Sequence, residues 1–308
     1  MSYASLRAET MEGRGGRGSN PRMNDTATLT PPVATVTAAP ATLAPPTRTF
    51  DIDCTLAYDV AGPTDFLFQI HALRGMDQEV LSESLVVTPP LPVHTFADPT
   101  VGHRFARLHA EAGLLELHYT ARVRRTPWKV DPAAPEVAIK DLPDNLLHNL
   151  MPTRYCESDL LSRAAQSLFG ALPQGHARVE AIVEWIHAHI AYEIGTTQAT
   201  TTARDVFIQR AGVCRDFAHL GVTFCRALNI PARLVVGYAP FDEPPPDFHA
   251  VFEAYVGGQW AMFDATRMSP LDQLVRIATG RDAKDVAFAT IFGPATMVAM
   301  NPLISAVG

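Results

Sequence analysis

Between residues 115 and 120, apolar Leu115, Leu117 and Tyr119 alternate with Glu116, His118 and Thr120. A two-residue period of this kind belongs to a strand with one buried face and one wet face. Three more short runs rich in β-branched and aromatic residues precede it: "TFDIDCTLAYDV", "TDFLFQIHAL" and "EVLSESLVVTP". Turn clusters such as "AGPTD" and "TPPLP" separate these runs. Short strands punctuated in this way predict an all-β sandwich over residues 49–130. "TPWKVDPAAPEV" then breaks the pattern with three prolines, and residues 131–150 read as a linker.

From residue 151 the period changes. Val179, Ile182, Val183, Ile186 and Ile190 recur at helical spacing and give one buried stripe. "SDLLSRAAQSLFG" predicts another helix, with Ser158 as its N-cap. A short helix near 202–210 precedes one that starts at Cys214 and ends near Asn229, ahead of Pro231. "ARLVVGYAP", "FHAVFEAYV" and "QWAMFDATR" then read as strands. The tail from "GRDAKDVAFATIFGP" onward reads as a helix or loop followed by a late strand. The fold class is therefore α+β: an N-terminal β-sandwich, then a domain over 151–308 in which a cysteine-bearing helix packs on an antiparallel sheet.

Composition narrows the functions available. Residues 1–48 are small, polar and proline-rich and are expected to form a disordered tail. The net charge of -7 supplies no basic footprint, so nucleic acid is not an expected partner. No apolar run is long enough to span a bilayer, and no secretory signal is apparent, so a cytoplasmic location without membrane contact is expected. Four cysteines are too few for a disulfide framework in 308 residues, and their thiols are expected to be reduced.

The candidate chemistry lies in the second domain. Cys214 sits two residues after Gly212 and opens its helix, where unpaired N–H groups and the helix dipole favour a thiolate. Cys225 is a control, since it lies mid-helix about 16 Å further along the axis, too far for a disulfide. In "FHAVFEAYV", Phe248, Ala250, Phe252 and Ala254 form the apolar face, while His249, Val251, Glu253 and Tyr255 share the other. Gly257-Gly258 suits a two-residue hairpin turn. With that turn, Val256 faces Gln259 and Asp264 becomes a diagonal neighbour of His249, within side-chain reach. Glu253 shares the face and competes as the carboxylate that would orient His249. Arg215 and Asp216 pair locally or steady the helix start, and His219 reads as a packed residue. The acidic stretch "FDEPPPD" before His249 reads as a loop at a cleft rim.

"GVCRDFAHLGVTFCRALNIPARLVVGY" and "DFHAVFEAYVGGQWAMFDATR" closely resemble bacterial transglutaminase-like proteins of the papain-like cysteine hydrolase superfamily. "MPTRYCESD" and "TTARDVFIQRAGVC" resemble the same group, and the resemblance extends over roughly residues 50 to 300. It implies a catalytic triad of Cys214 as nucleophile, His249 as general base and acid, and Asp264 as orienter of the imidazole. The implied activity is that of a cysteine protease, peptidase or amidase acting through a thioester. Transfer of the acyl group to an amine is the alternative, and a non-catalytic binding module a second. The expected partner is a peptide, protein or small amide substrate. No cofactor and no metal are expected. Tyr155, Arg215 and Asp216 are candidates for lining the cleft. The Cys214 N–H would supply one oxyanion donor, and the sequence does not identify a second.

Overall fold

The computed structural model describes residues 46–307 except 100, 101, 129 and 242–245. Most of the expected disordered tail therefore lies outside the described residues. The first part of the chain forms six strands: β1 (Arg48–Val60), β2 (Thr64–Phe68), β3 (Gln78–Thr88), β4 (His94–Ala97), β5 (Arg104–Ala110) and β6 (Gly113–Arg125). The alternation read from the sequence is realised in β6, where Leu115, Leu117 and Tyr119 are buried and Glu116 is exposed. β1 pairs antiparallel with β6 along its whole length, from Arg48↔Arg125 to Val60↔Gly113. Between the layers, Phe66 stacks on Phe68 at 5.4 Å and Tyr58 tilts against both.

The middle of the chain supplies α1 (Ser162–Phe169), α2 (His176–His189), β7 (Ala191–Tyr192), α3 (Ala203–Gln209), β8 (Ala211–Gly212) and α4 (Cys214–Ala227). There follow β9 (Ala232–Tyr238), β10 (His249–Val256), β11 (Gln259–Phe263) and β12 (Val275–Gly280), which form one antiparallel sheet in the order β11-β10-β9-β12. β13 (Ala289–Phe292) and β14 (Ala295–Val307) complete the chain.

These last two strands differ from expectation. They return to the N-terminal part, where the sheets run β14-β1-β6-β3 and β13-β2-β5-β4. Residues 289–307, grouped by sequence with the second domain, thus finish the sandwich, with Thr49 opposite Val307. Hydrophobic patterning shows that a segment is a strand but not which distant strand it will pair with. Two further elements were not expected: β4, exposed throughout, and β5, whose buried face is only Leu108 between two alanines, Ala106 and Ala110. Ser158 does not cap α1, which begins at Ser162. Leu160 and Leu161 instead donate to the Glu157 carbonyl in a preceding turn, and the Leu161 cap position has no side-chain bond.

α4 is the hub of the second part. Its residues from Asp216 to Arg226 are all buried. Phe224 on one side meets Phe169, Trp185 and Phe207 from α1, α2 and α3. On the other side α4 lies against β10, so closely that a Cβ on Gly221 would come within 2.5 Å of the Phe252 ring. That contact explains the glycine in mid-helix, where it otherwise costs about 1 kcal/mol.

The sandwich and the second sheet are joined by a buried ladder of alternating charges. Arg125 of β6 donates to Asp77, and Asp77 pairs with Arg276 of β12. Arg276 donates to Glu253 of β10 at 2.7 Å, and Glu253 also accepts from Arg233 of β9 at 2.7 Å. Gln78 locks the same junction, donating to the Leu73 and Arg276 carbonyls and accepting from the Arg276 N–H. Removing one member of such a ladder leaves an uncompensated buried charge. Asp77→Ala should therefore cost about 3–5 kcal/mol of unfolding free energy in a urea titration. Glu79→Ala, which breaks the exposed pair with Arg124, should cost under about 1 kcal/mol.

Candidate active site

The start of α4 is built around Asp216. Its Oδ2 accepts from the Val213 N–H at 2.9 Å and from Thr197 Oγ1 at 2.8 Å. Its Oδ1 accepts from Arg215, which also donates to the Gln198 carbonyl. A carboxylate in the first helical turn satisfies orphan N–H groups and opposes the dipole. Gly212 makes room for it, since a Cβ there would lie 2.8 Å from the Asp216 Cβ. Arg215 and Asp216 thus hold the helix start in place. Cys214, the first residue of α4, is left half-buried, its Sγ 4.0 Å from the Phe248 carbonyl oxygen.

His249 is the first residue of β10. The hairpin register runs from Val256↔Gln259 to Phe252↔Phe263, the register that the Gly257-Gly258 turn predicts. Asp264 follows directly, and its Oδ2 lies 2.9 Å from His249 Nε2. Its Oδ1 is held by the Thr266 N–H at 2.9 Å and Thr266 Oγ1 at 2.7 Å. The His249 ring is also hydrogen-bonded to the Cys214 side chain. With Nε2 taken by Asp264, Nδ1 faces the sulfur. The structure therefore brings together the three residues expected to form the triad.

The electrostatics follow from this contact. Burial disfavours a charged His249, but its interactions with the Asp264 carboxylate, which accepts from Nε2, and with the Cys214 side chain outweigh it and raise the imidazole to about 10. Burial likewise works against the Asp264 charge, yet His249 and Thr266 hold its pKa below the ordinary carboxylate value. The other thiols have no such partner. Burial pushes Cys54 and Cys156 up to about 12 and Cys225 higher still.

Glu253 does not compete for His249, because both of its carboxylate oxygens are taken by Arg233 and Arg276. Tyr155 is committed away from the sulfur: its ring stacks on His219 at 5.3 Å and its N–H donates to Asp282. His219 accepts from the Ala283 N–H, and burial lowers its pKa to about 3, so it is a neutral packed residue. Of the stretch "FDEPPPD", residues 242–245 lie outside the described residues. Phe241 packs its ring at 5.7 Å from that of His249, and Asp247 accepts from the Phe248 N–H at 2.6 Å. Tyr192 was not singled out by the sequence. It reaches the site because β7 pairs in parallel with β8, setting Tyr192 opposite Gly212, two residues before the sulfur. A two-residue parallel pairing leaves no periodic trace from which it could be read.

Comparison with known proteins agrees with this fold. Residues 162–265 match the model of the transglutaminase-like superfamily, and residues 48–145 that of the bacterial transglutaminase N-terminal domain. A solved structure described as "a Putative Cysteine Protease from Cytophaga hutchinsonii" is 44% identical, with a TM-score of 0.83. That match covers 86% of this chain and 93% of the other. An uncharacterized protein of Mycobacterium leprae is 30% identical over 148 residues, which is 45% of this chain and 52% of that protein. Another, from Mycobacterium bovis, is 32% identical over 115 residues, 33% of this chain and 37% of that one. The chain thus spans about half or less of the curated relatives it matches. It belongs to the transglutaminase-like superfamily.

The raised His249 pKa carries a sign for stability as well. The folded state binds this proton more tightly than the unfolded state, so the contribution is whole below about pH 6.5 and fades as pH rises through the folded value. Histidine NMR should show His249 still protonated well above pH 6.5, and Asp264→Asn should move its titration downward. In the same spectra His219 should remain neutral at pH 5. Titration of His249 at the ordinary value in the parent protein would contradict the arrangement.

Proposed function

We propose that the chain is a cysteine-dependent amide hydrolase of the protease, peptidase or amidase type, working through a thioester on Cys214. The observation that carries this reading is the buried His249–Asp264 pair at 2.9 Å, with the imidazole in hydrogen-bond contact with the half-buried Cys214 thiol at a helix start. A cationic imidazole beside a sulfur favours the thiolate, which is the attacking form. The name of the 44% identical structure points to the same chemistry.

The steps follow from the three side chains. The sulfur attacks the amide carbonyl carbon, and the C=O electron pair moves onto oxygen. Collapse of this intermediate returns the pair, breaks the C–N bond and passes the His249 proton to the departing nitrogen, leaving the thioester. His249, now neutral, takes a proton from the incoming water, whose oxygen attacks the thioester and frees the acid and Cys214. Asp264 holds the ring so that one nitrogen faces the sulfur throughout, and it stabilises the imidazolium.

The substrate class is a peptide, a protein or a small amide. Water is the default acceptor because it is always present. An amine in place of water would give a new amide, the transglutaminase-type outcome.

An amide library screened with and without a primary amine tests both readings. Cys214→Ala should lower turnover by at least about a thousandfold. Mass spectrometry of the product should show the free acid even with the amine present, whereas a new amide would favour transfer. Turnover unchanged in Cys214→Ala would overturn the reading of Cys214 as nucleophile, and a parent protein that turns over no amide would favour a binding module.

A further inference from the structure

Attack on a carbonyl places negative charge on its oxygen, and an active site of this kind needs at least two donors aimed at it. The Cys214 N–H is one, since it opens α4 and has no partner within the helix. The second lies across the two-residue ladder of β7 and β8. There the Ala191 N–H donates to the Arg210 carbonyl at 2.8 Å and the Glu193 N–H donates to the Gly212 carbonyl at 3.0 Å, fixing Tyr192 between them. The Tyr192 ring rests against Phe217, the fourth residue of α4, with centroids 5.9 Å apart. That pairing and that ring contact set its hydroxyl beside the first turn of α4, next to the Cys214 backbone and sulfur.

That placement has a chemical consequence. A phenol accepts and donates at once. Tyr192 stands beside the Cys214 amide, and among the described residues no acceptor takes its O–H. Burial and the neighbouring Cys214 sulfur both keep it a neutral phenol, so the proton stays available for donation. The hydroxyl stands at the one backbone N–H that a reacting carbonyl oxygen must reach.

We propose that Tyr192 is a catalytic residue, the second donor that stabilises the oxyanion formed when Cys214 attacks an acyl substrate. This rests on the reading of Cys214 as nucleophile. When the carbonyl oxygen arrives, the Cys214 N–H and the tyrosine O–H both donate to it. The carbon–sulfur bond forms, the C=O pair resides on an oxygen held by two donors, and collapse returns the pair as the C–N bond breaks. No proton leaves Tyr192 at any stage.

Two reagents that reach the same sulfur separate the possible roles. p-Nitrophenyl acetate acylates a thiol through a tetrahedral oxyanion, whereas iodoacetamide alkylates it at a saturated carbon without one. Tyr192→Phe removes only the hydroxyl. Its acylation rate, read as the nitrophenolate burst, should fall about a hundredfold or more. Its alkylation rate at Cys214 should stay within about twofold of the parent, because the N–H groups and His249 that activate the sulfur are untouched. Acylation within about threefold of the parent would overturn the proposal and leave the nucleophile reading intact. A parallel fall in both rates would also overturn it, since Tyr192 would then serve only to shape the helix start. A parent protein inert to both reagents would overturn the nucleophile reading, and this proposal with it.

Discussion

The site depends on one close contact, the seating of α4 on β10 at Gly221 and Phe252. A helix carries its first residue wherever its middle is packed, so the position of Cys214 is decided seven residues further along the chain. With glycine at that point, the helix backbone approaches the sheet closely enough for the thiol to meet the imidazole that opens β10. The aromatic cluster of Phe169, Trp185 and Phe207 presses α4 from the opposite side and keeps it there. A methyl group at Gly221 would have to displace a fully buried ring, in an interior that yields little to such displacement.

One face of β10 carries two electrostatic systems with opposite purposes. Four residues separate His249 from Glu253, so both side chains lie on the same side of the strand. Glu253 faces two guanidiniums, which fix it as an anion within the ladder that ties the sandwich to the second sheet. His249 faces one carboxylate and one thiol, groups able to exchange a proton with it. The permanent charges hold the architecture, and the titratable ones are left for chemistry. The N-terminal sandwich is thereby part of the same unit, since Asp77 and Arg125 hold Arg276 of β12, which in turn pairs with Glu253 on the strand that bears the histidine.

Legibility in the sequence followed the range of the interactions involved. Cys214, His249 and Asp264 could be read because each is placed by local geometry: a helix start, a strand alternation and a tight hairpin whose glycines set the register. The resemblance to transglutaminase-like proteins rested on those same residues. Glu253 could not be separated from Asp264 by sequence, because its arginine partners arrive from β9 and β12. The return of β14 to β1 joins residues about 250 positions apart, and no local pattern encodes such a partner. Tyr155 sits in a motif that shares the family resemblance, yet its ring is spent on His219. Tyr192 reached the site by a two-residue pairing too short to leave a period.

The central claim is that Cys214 is a nucleophile activated by its contact with His249, and site-resolved alkylation tests it most directly. The native protein is treated with iodoacetamide at pH 6, and labelled peptides are located by mass spectrometry. Cys214 should label alone, with Cys54, Cys156 and Cys225 protected by burial, and His249→Ala should slow it at least about tenfold. Equal labelling of Cys225, or an unchanged rate in His249→Ala, would contradict the account.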